Sequence, residues 1–175
     1  MSVQINYKNN FYKKKSSNLV LFSDENFNIS GLKNYISSKE QYLIKDLIKN
    51  MDIKKKILSF DISSKKKIIL VSLKKNIKNF EAENLGAKFY DLFKDLKLNF
   101  FNLNSDSISN KLNNVVGHFL HGLKLKSYIF EKYKSKKNKK NILITVTGKN
   151  KPLIKDQIKF KAIEEGTFYT RDLVS

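Results

Sequence analysis

The chain predicts an α/β fold, built on one central mixed sheet of five or six strands with helices on both faces. Three observations lead there. Short apolar runs of strand length alternate along the chain with longer stretches of helical apolar spacing. Two of those runs, Leu19–Phe22 and Ile68–Leu73, are continuous rather than alternating, as strands buried on both faces should be. At 175 residues and 41% hydrophobic content the chain can fill one proper core, and it is far from the composition of a disordered protein.

Taken in order, Val3 to Tyr12 opens as a strand with Val3, Ile5 and Tyr7 on one side. After the lysines at Lys13–Lys15 comes Leu19–Phe22, then a turn-like segment around Asp24–Asn28 and the apolar Ile29–Leu32. Tyr35 to Met51 carries Tyr35, Tyr42, Leu43, Leu47, Ile48 and Met51 at helical spacing, which predicts an amphipathic helix burying that face. Ile57–Ile62 alternates through Leu58 and Phe60 as a strand, and the lysine turn Lys65–Lys67 joins it to Ile68–Leu73. Phe80 to Leu96 predicts a second helix with Leu85, Phe89, Leu92, Phe93 and Leu96 inward. Gly86 inside it costs about 1 kcal/mol relative to alanine, so it marks a place of close packing. Leu98–Leu103 follows as a strand, and Ser105 or Ser107 would cap the helix after it.

That helix lies in the stretch Val115 to Lys137, around which the chain is organised. Val115, Val116, Phe119, Leu120 and Leu123 recur at helical spacing, and Tyr128, Phe130 and Tyr133 extend the stripe with three aromatics. The lysine run Lys134–Lys140 would end the helix in solvent, with cations at the negative end of its dipole. Ile142–Val146 is the last strand, and Gly148 and Pro152 punctuate the turn before a terminal helix starting near Leu153. Ile154, Ile158, Ala162, Tyr169 and Leu173 line one face of that helix, with Gly166 beside them.

Two segments carry a family resemblance. Gly122, Leu123, Leu125, Tyr128, Phe130, Tyr133 and Lys134 fall on the pattern G-L-x-L-x-x-Y-x-F-x-x-Y-K of the leucyl (cytosol) aminopeptidase family. Ala162, Gly166, Arg171, Asp172, Leu173 and Val174 resemble the linking helix of the same family, which leads into its catalytic domain. The match extends weakly through Ile57–Leu73, but Ser72 to Asn76 (SLKKN) stands where such families often have glycines. The resemblance implies an N-terminal α/β sandwich similar to macro domains over residues 1–152, and an interdomain linking helix over 153–175. It implies a parent enzyme that removes N-terminal amino acids from peptides with two divalent metals, zinc or manganese, in a homohexamer. In that family the metal ligands and the catalytic lysine and arginine lie in the C-terminal domain. The implied site list for this chain is therefore empty: no catalytic, cofactor-binding or metal residue, and no activity alone. Its implied partners are its own catalytic domain and copies of the full-length protein, with a role in assembly and in access to the active site. If the terminal helix is a linker, Phe168, Tyr169, Leu173 and Val174 should be exposed and Thr167 to Ser175 loosely held.

Composition bounds the rest. The net charge is +19, carried by 34 lysines and a single arginine, Arg171. Lysine is a flexible point charge, whereas arginine supplies the planar fork suited to bases and phosphates. The charge is therefore assigned to solvated surface and compositional drift, with any nucleic-acid affinity non-specific. The lysine runs, Lys54–Lys56 included, fall between elements. A stand-alone basic module for nucleic acid or nucleotide is the competing reading, since aromatics interleave with lysines around Tyr128. No apolar run has the length of a membrane span, and MSVQINYKNN lacks the apolar core of a signal peptide. With no cysteine there is neither a disulfide framework nor a thiolate zinc site, and a cytoplasmic location is expected.

Candidate chemistry is sparse. His118 and His121, spaced i and i+3, would suit a metal pair, but no carboxylate follows within the stretch until Glu131, so a non-ligand role is preferred. The carboxylates Asp24–Glu25, Glu81 and Glu83, Asp91 and Asp95, and Glu164–Glu165 are scattered and read as solvated faces. No G-x-S-x-G, P-loop or G-x-G-x-x-G motif occurs among the six glycines, which leaves an ADP-ribose pocket without its phosphate-cradling loops.

Overall fold

The computed structural model describes residues 2–9, 18–96, 99–108, 114–128 and 141–174. The far end of the first expected strand, Lys13–Lys15, Leu98, Phe130, Glu131, Tyr133 and the run Lys134–Lys140 lie outside the described residues. The elements are β1 (Ser2–Tyr7), β2 (Asn18–Ser23), α1 (Ser38–Ile48), β3 (Ile57–Ser63), β4 (Lys66–Ser72), α2 (Asn79–Phe93), β5 (Phe100–Asn104), α3 (Val115–Lys126), β6 (Asn141–Thr147) and α4 (Ile154–Val174). Among the described residues six strands form one sheet in the order β1-β6-β5-β2-β4-β3. All neighbours are parallel except β3, which runs antiparallel to β4. This is the expected mixed α/β sheet with helices on both sides.

Strand alternation divides the core in two. Val20 and Phe22 of β2, Ile69 and Val71 of β4, and Phe101 and Leu103 of β5 join the buried residues of α2 and α3. Leu19, Leu21, Ile68 and Leu70 point the other way, into a smaller core beneath α1. Because both sets are apolar, β2 and β4 read as unbroken hydrophobic runs.

On the larger side Phe89 sits among Phe93, Phe101 and Phe119, with ring centroids 4.7, 5.3 and 5.6 Å away. The helices α2 and α3 cross through glycines. A Cβ on Gly86 would stand 1.9 Å from the Phe119 carbonyl oxygen, and one on Gly122 would stand 2.0 Å from that of Glu83. Each helix therefore accepts the other's backbone where a side chain would be, which is the close approach expected at Gly86. Leu92 departs from the expected inward face: it is exposed, and Tyr90 and Ala82 are buried instead.

The smaller side departs further. A capping box, in which Ser37 Oγ accepts from Glu40 N–H and the Glu40 carboxylate accepts from Ser37 N–H, starts α1 at Ser38 rather than near Tyr35. Of the helix only Ile44 is fully buried, while Tyr42 is 79% exposed and Leu43, Leu47 and Met51 lie at the surface. The face expected from spacing is thus displaced. Phe27, Ile29, Leu32 and Ile36 supply that core from the preceding segment and leave the helix little to cover.

Ser105 and Ser107 do not cap α3, which begins after Asn114 in a left-handed conformation (φ 56°) with no side-chain cap. They form a 3-10 turn that ties strand ends together: Ser105 Oγ donates to Thr147 O at 2.8 Å, and Ser107 Oγ accepts from Phe22 N–H at 2.9 Å. Helix α3 stops at Lys126, well before the lysine run. There the Ser127 hydroxyl donates to Lys124 O and its N–H to Leu123 O, which closes the last turn.

Candidate functional site

The terminal helix α4 docks on α3 beside the edge strand β1, and this seam brings together His118, His121, Glu164 and Lys124. His118 and His121 point out of α3 toward different partners. His118 Nδ1 lies 2.7 Å from Glu83 Oε1 on α2, and His121 Nδ1 lies 2.9 Å from Glu164 Oε1 on α4. The Phe160 ring packs against both imidazoles, with centroids 5.1 and 4.7 Å away. The two histidines thus fasten helices, each oriented by a carboxylate, and do not converge. Among the described residues no group of three or more His, Asp or Glu side chains could hold a metal ion. The two metals that the family resemblance implies are implied for the C-terminal catalytic domain, not for these residues.

His121 and Glu164 are 6% and 9% exposed, so their contact is made away from water. Around it lies a groove of about 680 Å³ between β1, α3 and α4. Lys124 reaches across to donate to the Val3 carbonyl on the open side of β1. Burial pulls the Lys124 ammonium below its ordinary range, with nearby Glu164 opposing. Burial, reinforced by Glu164, pushes the Tyr7 phenol up to about 12. Of the remaining carboxylates, Glu81 accepts from Lys78 N–H at the start of α2, and Asp91 pairs with Lys94 and Lys126.

The far end of α4 is held as well. Tyr128 stacks on Phe168 at 5.2 Å, and its hydroxyl donates to Asp172 Oδ1 at 2.6 Å. Arg171 donates to Leu125 O at 3.2 Å and lies 5.4 Å over the Tyr128 ring. Two segments read separately in the sequence therefore meet: Leu125 and Tyr128 of one touch Arg171 and Asp172 of the other. Phe168, expected exposed, is half-buried by this contact, and α4 is helical through Val174. Tyr169, Leu173 and Val174 are exposed as expected, at 66%, 64% and 81%.

At the C-terminal ends of the parallel strands, where open α/β sheets place ligands, a second pocket of about 490 Å³ lies beside Ser23, Asp24 and Ser107. Several backbone donors in and around it are engaged by carboxylates. Asp24 Oδ1 accepts from Asn26 and Asn28 N–H, and across the rim Asp106 Oδ1 accepts from Lys149 and Asn150 N–H. The two aspartates thus take up four N–H groups at these strand ends. Gly148 makes the tight turn here, with φ 103° and room for no Cβ beside Ser105 Oγ. The sequence reading missed Asp24 and Asp106 in these roles. For Asp24, an Asp two residues before an Asn in a loop was the available signal; Asp106 acts on residues more than forty positions away and had none.

Comparison with solved structures agrees with this geometry. A mutant of tomato leucine aminopeptidase matches with a TM-score of 0.76 at 17% identity, over 99% of this chain and 38% of its own. The cytosol aminopeptidase of Coxiella burnetii matches at 0.58 and 16% identity, over 97% of this chain and 33% of its own. The macrodomain of Thermus aquaticus DarG matches at 0.54 and 12% identity, over 85% of this chain and all of its own. The fold is macro-domain-like. No family model and no curated protein matches the sequence. The chain spans about a third of the length of the aminopeptidases it resembles. No helix among the described residues is long and apolar enough to cross a membrane.

Proposed function

We propose that this chain is the non-catalytic N-terminal domain of a leucyl aminopeptidase-like metallopeptidase, with α4 as the helix linking it to a catalytic domain. One observation carries the reading: the match to the tomato enzyme covers 99% of the chain, leaving no room to omit α4 as a whole. The seam in which Tyr128 meets Arg171 and Asp172 supports it, because both segments that resemble the family contribute. In this reading residues 1–152 form the domain body and 153–175 the linker. The exposed face of α4 receives the catalytic domain, and two zinc or manganese ions belong to that domain. Assembly, as a hexamer in the cytoplasm, and restricted access to the active site are the roles left to this part.

The test follows the reading frame past Ser175 and assays both proteins. The 175-residue chain should release no amino acid from aminoacyl amides with zinc or manganese supplied, whereas the longer product should. Metal-dependent turnover by the short chain that vanishes in His118→Ala/His121→Ala, or a stop codon directly after Ser175, contradicts the proposal. The competing nucleic-acid module loses support from Tyr128, whose half-buried ring is stacked on Phe168. Binding driven by the net charge of +19 should be non-specific and fall steeply with salt.

A further inference from the structure

We infer that the open edge of β1, with the groove beneath it, binds the C-terminal end of an extended peptide, antiparallel to β1 and with its terminal carboxylate on Lys124. The inference does not rest on the aminopeptidase reading. It also leaves the exposed row of α4 to the catalytic domain, since Ile154, Ile158, Tyr169 and Leu173 do not line this groove.

The backbone of β1 supplies the first argument. Lys8 N–H donates to the Val146 carbonyl of β6, so in this parallel pair Gln4, Asn6 and Lys8 turn their N–H and C=O toward β6. Val3, Ile5 and Tyr7 turn theirs outward, from the last strand of the sheet. At Val3 the outward carbonyl accepts from Lys124. No described residue bonds to the outward groups of Ile5 and Tyr7. Two residues apart on one edge, they offer a donor and an acceptor twice over, at the spacing of another strand's backbone.

Lys124 supplies the second argument, and it fixes both the end of the peptide and its direction. The residue is half-buried and bonded to a neutral carbonyl, and among the described residues no carboxylate pairs with it. Burial disfavours its charge, and Glu164, whose carboxylate favours that charge, is already bonded to His121. A cation taken from water without a counter-ion gains most from an incoming anion. Lys124 stands at the Val3 end of the edge, where it also stops further strand pairing. A peptide antiparallel to β1 ends there in its carboxylate, whereas a parallel one would bring its N-terminal amine against the ammonium. The second-last residue of the peptide then lies opposite Ile5, and the fourth-last opposite Tyr7. Directly opposed residues of an antiparallel pair share a face, and Ile5 and Tyr7 line the groove. Both peptide side chains therefore enter it, where Leu120, Phe160 and Phe168 favour apolar ones.

The probe is a pentapeptide with leucine second and fourth from its C-terminus, serine elsewhere, and a neutral coumarin blocking its N-terminus. Fluorescence anisotropy with the 175-residue chain should give saturable binding at physiological ionic strength, where long-range attraction to the net charge of +19 is screened. The C-terminal amide of the same peptide should bind about tenfold more weakly, the effect of losing one charge-assisted hydrogen bond. Lys124→Met should bind acid and amide alike. N-methylation of the second-last residue removes the N–H aimed at Ile5 and should abolish binding. N-methylation of the third-last residue, whose N–H points away from β1, should not. The changes made in the peptide need no altered protein, so a Lys124 variant that fails to fold does not spare the inference. No binding of the free acid overturns it. So does equal binding of acid and amide by the unaltered chain. Equal binding of an isomer with leucine third and fifth from the end also overturns it, since the contact would then be attraction between charges alone.

Discussion

The two faces of the sheet are covered by different means. On one face two helices cross through reciprocal glycines and share a cluster of phenylalanines, so regular elements supply most of the core. On the other, α1 contributes only Ile44 in full, and an irregular segment from Phe27 to Ile36 does most of the covering. The first arrangement depends on backbone proximity, and the second on a few apolar anchors held by capping and turn bonds. The faces should accordingly respond to different substitutions.

The largest effect belongs to the glycine crossing. Gly86→Val would drive a branched side chain into the Phe119 backbone and should cost ~3 kcal/mol or more by the cost of overpacking. Gly166→Ala, in the open interior of α4, should instead stabilise by ~1 kcal/mol. Urea unfolding of the two variants reads both. Equal effects would mean that α2 and α3 can part without loss.

On the α1 face the contrast is between neighbours. Ile44→Ala should destabilise by ~2–4 kcal/mol, the range for emptying a buried aliphatic site, and Leu47→Ala by well under that, near ~0.5 kcal/mol. A larger loss from Leu47 would return the buried face to where helical spacing first placed it.

The α3–α4 seam is next in size. His121→Leu leaves the Glu164 carboxyl buried without its partner, which should cost ~2–3 kcal/mol. Hydrogen exchange should report the loss chiefly in α4, and His121→Leu/Glu164→Leu should recover part of it. Uniform loosening of the whole chain would show that α4 is not a separable layer.

The smallest effects are those of pH, and they divide the faces. Burial pushes the Glu40 carboxyl up, but hydrogen bonds from Lys66 and Ser37 outweigh it and hold the group below its ordinary 4.5. Its contribution is present above pH 4.5 and is lost as pH falls through the lowered value. The Tyr7 phenol, raised to about 12, contributes fully below its ordinary 10.0 and loses that contribution as pH climbs toward 12. Glu40→Gln should flatten the acid limb of a stability profile, and Tyr7→Phe the alkaline limb. A variant that alters the opposite limb would refute the assignment.

How far each region could be read in advance follows the same division. The strands β2 and β4, the helix α2 and the docking of α3 on the sheet were legible because one local period sets both the element and its buried side. Gly86 was legible too, since a glycine inside a good helix needs a reason. The buried side of α1 was not, because Phe27, Ile29, Leu32 and Ile36 took its place from a segment without periodicity. Nor was the end of α3 at Ser127, where two hydrogen bonds close the helix although the aromatic spacing continues to Tyr128. The strand set and the family-like words at Gly122–Tyr128 and Ala162–Val174 are properties of the chain alone, since alternation and spacing are local. The meeting of Tyr128 with Arg171 and Asp172, the pairing of His121 with Glu164, and the side of α4 left open belong to the tertiary structure. Both contacts join residues more than forty positions apart, and no local pattern records which distant side chain will be there.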